Sequence, residues 1–176
     1  MSIDNAPTSA DHINPLRKFH RRSDFDCGVE SLNLYLKNTA RQNASRYHSQ
    51  TFVISPSENL ETVAGYYTLT LNTKRSEESP KDYHVPPEGS VPVALLARLA
   101  VDVNFQGRNL GRALLMDALR RCRDVADQVG CVAVEVDALD DNAASFYRKY
   151  GFVVIDEREP LRLYIAMATI VNLFPR

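Results

Sequence analysis

The chain has 176 residues, 44% of them hydrophobic, and its 21 Lys and Arg residues nearly balance its 22 Asp and Glu residues. This length suits one well-packed domain, and the small net charge excludes any argument from total charge for a nucleic-acid or membrane partner. The three cysteines do not have the spacing of a zinc site, and no segment has the ~18 consecutive apolar residues that span a membrane. With no apolar signal core near the N-terminus either, we expect a cytoplasmic protein without a metal.

The first half of the chain predicts a polar arm followed by helix and hairpin. Residues 1–14 are expected to form a flexible arm, and 15–176 a single domain. Apolar residues recur at helical spacing between Val29 and Asn43, as one helix or two short ones. Strands are predicted at Leu16–Phe19, Thr51–Ile54 and Thr62–Leu71, and the polar segment Asn72–Ser90 is predicted to be a long loop.

The second half alternates strands and helices. The predicted strands are Pro92–Val103, Cys131–Val136, Phe152–Ile155 and Leu161–Ala168. One helix is expected from about Gly111 to Gly130, with a buried stripe that ends at Val125 and Val129. Another is expected to be capped by Asp140 or Asp141 and stopped by Gly151.

A strand, a glycine-bearing turn and a helix follow one another at Val91–Ala118. This order leaves unpaired N–H groups and the positive end of a helix dipole facing outward, which suits a phosphate group. Gly111 and Ala113 would let a pyrophosphate approach, and Arg108 and Arg112 would offset its charge. An ordinary strand-to-helix turn explains the same pattern, and the spacing matches neither a dinucleotide fingerprint nor a P-loop.

A second motif, Phe146-Tyr147-x-x-x-Gly151-Phe152, gives the turn its context. The strand, the turn and this motif together resemble the GNAT family of acetyl-CoA-dependent N-acetyltransferases. Further motifs resemble the TacT-like acetyltransferase toxins of bacterial toxin–antitoxin pairs. They are Phe25-x-Cys27-Gly28, Ala64-Gly65-Tyr66-Tyr67, Ala97-Arg98-Leu99-Ala100-Val101-Asp102, Gln106-Gly107 and Ala138-Leu139-Asp140-Asp141.

The resemblance implies an α/β (α+β mixed) GNAT fold, in which the two middle strands of a mixed sheet splay apart to admit acetyl-CoA. The backbone of Leu99, Ala100 and Val101 would hold the pantetheine arm as an added strand is held. The pyrophosphate would lie against residues 106–113, for which we name Gln106, Gly107, Arg108, Asn109, Gly111, Arg112 and Ala113.

By the same resemblance, Tyr147 directs its hydroxyl at the thioester sulfur and protonates the departing thiolate. No convincing general base is present, because Glu135 and Asp137 suit solvated or structural roles and an aminoacyl amine with a pKa near 8 needs little help. Many family members carry Asn where this chain has Asp140, so we expect Asp140 to cap its helix and not to contact CoA.

The toxin group acetylates the α-amine of aminoacyl-tRNA and thereby stops translation, in partnership with a small ribbon-helix-helix antitoxin. If this carries over, basic residues must frame the acceptor site, and the candidates are Arg98, Lys74, Arg75, Arg17 and Arg21. A homodimer is expected, with Ile170, Val171, Leu173 and Phe174 supplying an interface or completing the core. Two alternatives stay open: a GNAT enzyme acting on a small amine or a protein N-terminus, and a non-catalytic CoA-binding module.

Overall fold

The computed structural model describes residues 13–175, which form a mixed α/β fold. The strands are β1 (Ile13–Pro15), β2 (Gln50–Ile54), β3 (Gly65–Arg75), β4 (Ser90–Val101), β5 (Ala133–Asp137), β6 (Val153–Val154) and β7 (Arg162–Ala166). The helices are α1 (Glu30–Leu34), α2 (Ala40–Ser45), α3 (Leu110–Val129), α4 (Asp141–Lys149) and α5 (Met167–Leu173), with a π-helical turn, Tyr35–Thr39, joining α1 to α2. The strands form a seven-stranded sheet in the order β1-β2-β3-β4-β5-β7-β6.

The chain divides into two compact units. Unit 1 contains the described residues up to Thr70 together with Arg98–Ala118, and unit 2 contains Leu71–Ala97 together with the described residues from Leu119. The expectation of a single domain stays a prediction.

Unit 1 is built on the antiparallel ladder of β1, β2 and β3, in which Val53 pairs with Tyr66 and Asn14 with Val53. Its core contains Leu16, Phe25, Tyr35, Leu36, Ala40, Val53, Val63, Tyr66 and Ala100. Gly65 lies at a point of close approach, where an added Cβ would be 2.9 Å from Leu114 Cδ1 and 3.0 Å from the Ala100 carbonyl oxygen. A glycine is needed there because the end of β4 and the start of α3 both pack against this backbone.

Unit 2 shows where the two middle strands part. Strand β5 pairs antiparallel with β7, from Ala133↔Ala166 to Asp137↔Arg162. Its parallel ladder with β4 contains only Ala94↔Val134 and Leu95↔Glu135, although both strands continue beyond this point. This early end of the ladder confirms the predicted splaying.

Several predicted boundaries are wrong. The first strand is Ile13–Pro15 and residues 16–19 form a turn, so the last two residues of the predicted arm lie in a strand. Residues 1–12 of that arm lie outside the described residues. The last strand ends at Ala166, and helix α5 follows because Ile170 is buried at helical spacing from Met167. Val125 and Val129 are exposed, so the buried stripe of α3 ends at Cys122.

In residues 13–175, no helix is long and apolar enough to cross a membrane. No group of three or more His, Cys, Asp or Glu side chains in the same part of the chain could hold a metal ion.

Candidate cofactor and catalytic site

The turn after β4 is held in place by Asp102, a buried carboxylate to which the sequence analysis assigned no role. One oxygen accepts a hydrogen bond from the backbone N–H of Asp26 at 2.9 Å, and the other accepts from the N–H of Asn104 at 2.8 Å. The Asp102 N–H donates to the Ala64 carbonyl at 2.9 Å. Three of the quoted sequence motifs are therefore tied together within unit 1, and this local network fixes the direction of the turn.

Backbone geometry at the end of the turn produces the expected helix start. Gly107 has φ +77° and Asn109 has φ +61°, and α3 begins at Leu110. The first helical hydrogen bond runs from the Ala113 N–H to the Asn109 carbonyl at 3.1 Å. The N–H groups that precede Ala113 in the helix lack an i−4 partner, which is the arrangement that favours an anion.

Positive charge accompanies this helix start. Arg108 and Arg112 are both exposed, and the Arg108 guanidinium lies 5.5 Å from the centre of the Phe105 ring. The side-chain amide of Gln106 instead turns back and donates to the Val101 carbonyl at 3.0 Å. Gln106 thus braces the turn in this structure, while the two arginines remain available to a phosphate group.

Helix α4 places Tyr147 through a cap and an aromatic cluster. The Asp140 carboxylate accepts a hydrogen bond from the Ala143 N–H at 2.8 Å, which confirms its role as the helix cap. Tyr147 is buried, with its ring 5.2 Å from Phe146 and 5.4 Å from Phe152, measured between centroids. Burial raises the pKa of the Tyr147 phenol, because the loss of water disfavours the phenolate.

The five residues predicted to bind tRNA have different surroundings in the structure. Arg75 and Arg17 are exposed, and the Arg98 guanidinium lies 3.6 Å above the ring of Tyr35. Arg21 lies 3.7 Å from both Asp24 and Glu61, so its charge is offset locally.

Lys74 does not fit the predicted role. Its ammonium lies 3.2 Å from Glu135, and the two side chains are only 8% and 5% exposed. Glu135 also accepts a hydrogen bond from the Tyr83 hydroxyl at 2.9 Å, which confirms a structural role for this carboxylate. The prediction of a phosphate contact by Lys74 is wrong because its charge is buried and paired. Sequence gave no sign of this, since the partner lies 61 residues away (135 − 74).

Strand β4 thus leads through a turn into a helix start flanked by two exposed arginines, a geometry that suits an anion in an α/β fold. The sequence profile of the Acetyltransferase (GNAT) family matches residues 15–152. The chain belongs to the GNAT family of acetyltransferases, enzymes that take their acetyl group from acetyl-CoA.

Individual relatives fall in one group. The chain is 37% identical over 145 residues to the "tRNA-acetylating toxin" of Mycobacterium tuberculosis (strain ATCC 25618 / H37Rv), covering 82% of this chain and 85% of the relative. It resembles a solved structure of AtaT complexed with acetyl-methionyl-tRNAfMet, with a TM-score of 0.83, 26% identity, and coverage of 93% of this chain and 98% of AtaT. It also resembles a tyrosine-to-phenylalanine mutant of the AtaT toxin bound to the C-terminus of the antitoxin AtaR and acetyl-CoA, with a TM-score of 0.80, 25% identity and the same coverage.

Proposed function

We propose that this chain transfers an acetyl group from acetyl-CoA to the α-amine of aminoacyl-tRNA and acts as the toxin of a type II toxin–antitoxin system. The observation that carries the proposal is the 37% identity, over 82% of the chain, to a tRNA-acetylating toxin. Acetylation of the amine removes the nucleophile that forms the next peptide bond, so translation stops.

The residues of the turn fit the acetyl donor. Free N–H groups at the start of α3 and the exposed Arg108 and Arg112 match a pyrophosphate in charge and in hydrogen-bonding capacity. Gly107, Asn109, Gly111 and Ala113 would hold it together with them. In the proposal the backbone of Leu99, Ala100 and Val101 binds the pantetheine arm, while Gln106 supports the turn through Val101.

Tyr147 is proposed as the general acid. Acetyl-CoA supplies the acetyl group as a thioester. As the amine nitrogen bonds to the carbonyl carbon, the C–S bond breaks with its electron pair on sulfur, and the Tyr147 hydroxyl gives its proton to that thiolate. Burial keeps the phenol protonated throughout the physiological range, which is the state that a proton donor needs.

The two carboxylates considered as a general base, Glu135 and Asp137, are each held by other side chains. Glu135 is committed to Lys74 and Tyr83, and Asp137 lies 3.2 Å from Arg162. An α-amine with a reference pKa near 8 is partly neutral at physiological pH, so water can accept its proton.

Partners follow from the same proposal. Phosphate contacts are assigned to Arg17, Arg75 and Arg98, because Lys74 is buried and Arg21 is offset by carboxylates. A DNA-binding antitoxin of the ribbon-helix-helix type would cover the toxin, as the antitoxin AtaR binds AtaT. We further propose a homodimer in the cytoplasm, where charged tRNA and acetyl-CoA are both present.

The test is acetyl transfer to charged tRNA, read by mass analysis of the aminoacyl group. With Tyr147→Phe, we expect kcat to fall about 10²- to 10⁴-fold while the KM for acetyl-CoA stays nearly constant. Tyr150→Phe is the matched control, because Tyr150 lies at the end of the same helix and packs its ring 5.1 Å from Phe146. Unmodified aminoacyl-tRNA with the wild-type protein, alongside acetylation of polyamines or peptide N-termini, would overturn the proposed substrate. A Tyr147→Phe variant at the wild-type rate would remove Tyr147 from the mechanism.

A further inference from the structure

A cavity of about 340 Å³ in unit 1 is lined by none of the residues assigned to the acetyl donor. Its lining comes from strand β1, the turn that follows it, and the end of β2 with its loop, and includes Pro15, Arg17, Phe19, His20, Ser55 and Leu60. The volume is at the lower end of the ~300–1,000 Å³ of small-molecule sites. It is large enough for one planar ring system and too small for a double helix.

Ser55 supplies the cavity with an unused hydrogen-bonding group. The side chain is only 3% exposed, and its hydroxyl has no hydrogen-bond partner among the described residues. Buried hydroxyls without a partner are rare because they have lost water and gained nothing in exchange. A hydroxyl kept in this state on a cavity wall is suited to a ligand that brings the missing donor or acceptor.

The His20 ring is a second polar group at the cavity, and its protonation state follows from its hydrogen bond. Its Nδ1 accepts a hydrogen bond from the Arg17 N–H at 2.8 Å, so the proton of the neutral ring is on Nε2. Burial and the nearby Arg17 charge both lower the pKa of His20, which keeps the ring neutral at physiological pH. The cavity is therefore lined by two uncharged polar groups, the Ser55 hydroxyl and the neutral His20 ring, together with the charged Arg17.

Two large apolar side chains stand at the cavity while remaining open to solvent. Phe19 is 54% exposed and Leu60 is 55% exposed. The Phe19 ring lies 4.3 Å from the His20 ring, which fixes one face and leaves the rest of the ring accessible. An exposed aromatic ring beside a concave polar site is the arrangement with which proteins stack single-stranded bases.

The charges around Phe19 distinguish the ligand class. Arg17 and Lys18 are exposed, and neither has a carboxylate in ion-pair contact within the described part of the chain. Arg21, on the same turn, is held between Asp24 and Glu61. Free cations beside an aromatic ring favour a ligand that combines a flat ring with a phosphate.

We propose that this cavity binds an unpaired nucleobase of RNA, with Phe19 stacking on the base, Ser55 bonding its edge and Arg17 contacting the neighbouring phosphate. The identification of that RNA as tRNA rests on the proposed function. The base pocket itself is supported by the cavity, the unpartnered Ser55 hydroxyl, the exposed Phe19 ring and the exposed Arg17.

The chain contains no tryptophan, so a single introduced indole can report on the pocket. In Phe19→Trp, stacking of a base should quench the indole fluorescence when short single-stranded oligoribonucleotides or deacylated tRNA are added. Tyr47→Trp is the control, because Tyr47 is 90% exposed in the same unit and does not line the cavity. Its fluorescence should change little with the same RNA.

Direct RNA-binding measurements on variants of the full chain then test each proposed contact by itself. Phe19→Ala and Phe19→Leu should each weaken binding about 5- to 150-fold, since leucine keeps the bulk and loses the aromatic face. Arg17→Ala should reduce the slope of log K against log salt by about 0.7, whereas Arg21→Ala should leave it nearly unchanged. Ser55→Ala should weaken RNA binding and yet raise the melting temperature by roughly 2–4 °C, because it removes an unpaired buried hydroxyl.

The outcomes that would overturn the pocket differ from those that would overturn the proposed function. Absence of quenching by tRNA while aminoacyl-tRNA is still acetylated would refute the pocket alone. Wild-type RNA affinity in Phe19→Leu would refute the base pocket, because binding would then not need the aromatic ring. Quenching by an antitoxin peptide but not by RNA would also refute the base pocket and identify an apolar protein-docking site. Quenching by RNA without acetylation of any aminoacyl-tRNA would support the pocket and refute the proposed function.

Discussion

The buried pair of Lys74 and Glu135 gives a quantitative test of the structure. Their charged atoms are 3.2 Å apart, and the side chains are 8% and 5% exposed. Lys74→Met would leave the Glu135 carboxylate buried with the Tyr83 hydroxyl as its remaining partner. Breaking a buried pair from one side costs about 3–5 kcal/mol of unfolding free energy, equivalent to a fall of about 6–20 °C in Tm for a chain of this size.

The double variant Lys74→Met/Glu135→Gln should recover part of this loss. It removes both charges together, and the glutamine oxygen could still accept the Tyr83 hydrogen bond. We expect it to be more stable than the sum of the single variants by about 2 kcal/mol or more. Urea unfolding followed by circular dichroism measures the four free energies of unfolding, those of the wild type, Lys74→Met, Glu135→Gln and the double variant. Lys81→Met is the control because Lys81 is exposed in the same unit.

The salt dependence of tRNA affinity completes this test. If Lys74 is structural, the slope of log K against log salt in Lys74→Met should match that of the wild type, provided both are measured well below the melting temperature. A loss of less than about 1 kcal/mol in Lys74→Met, together with a smaller salt slope, would show that the lysine reaches a phosphate and refute the buried pair.

The remaining predictions concern packing, the turn and alkaline pH. Gly65→Ala should lower the unfolding free energy by about 1–3 kcal/mol, because the new Cβ would lie 2.9 Å from Leu114; an unchanged urea midpoint would contradict that packing. Asp102→Ala should cost about 1.5–3 kcal/mol and raise the KM for acetyl-CoA more than it lowers kcat, since it releases the turn; kinetics in which only kcat changes would argue against an anchoring role. Burial raises the pKa of both Tyr66 and Tyr83, so their contribution to stability is complete below pH ~10 and is lost above it, as the unfolded chain releases those protons first. We expect about 1.4 kcal/mol of loss per pH unit for each tyrosine above pH ~10, measured by urea unfolding against pH; a flat profile up to pH ~11 would contradict it.

Local patterns were sufficient for most of the regular elements. Gly130 and Gly151 both have positive φ and follow the ends of α3 and α4, as the sequence predicted. Asp140 caps α4, which depends only on residues within one helical turn. Two of the boundaries that failed lie at Leu16–Phe19, where Arg17 and Lys18 interrupt the apolar pattern, and at Leu161–Ala168, where an apolar run fits a strand or a helix equally well. The predicted loop from Asn72 also begins too early, because β3 continues to Arg75.

The family and its acetyl donor were also readable from the sequence, because the turn chemistry and the Tyr147 motif occupy short, contiguous segments. The sequence did not show which charged side chains are free to bind a ligand. Lys74 and Arg21 read as surface cations, and only folding brings Glu135 to the first and Glu61 to the second.

The hydrogen-bond partners of buried polar groups were likewise not predictable from the sequence, as Asp102 and Ser55 in unit 1 show. The carboxylate of Asp102 accepts a hydrogen bond from a backbone N–H 76 residues earlier in the chain, while the hydroxyl of Ser55 has no hydrogen-bond partner within residues 13–175. The sequence alone determined most of the local elements, the turn that leads into α3 and the family, because these depend on neighbouring residues. Tertiary structure alone decided which charges are paired, which donors are satisfied and where a cavity remains, because these depend on residues distant in sequence that meet only in the folded chain.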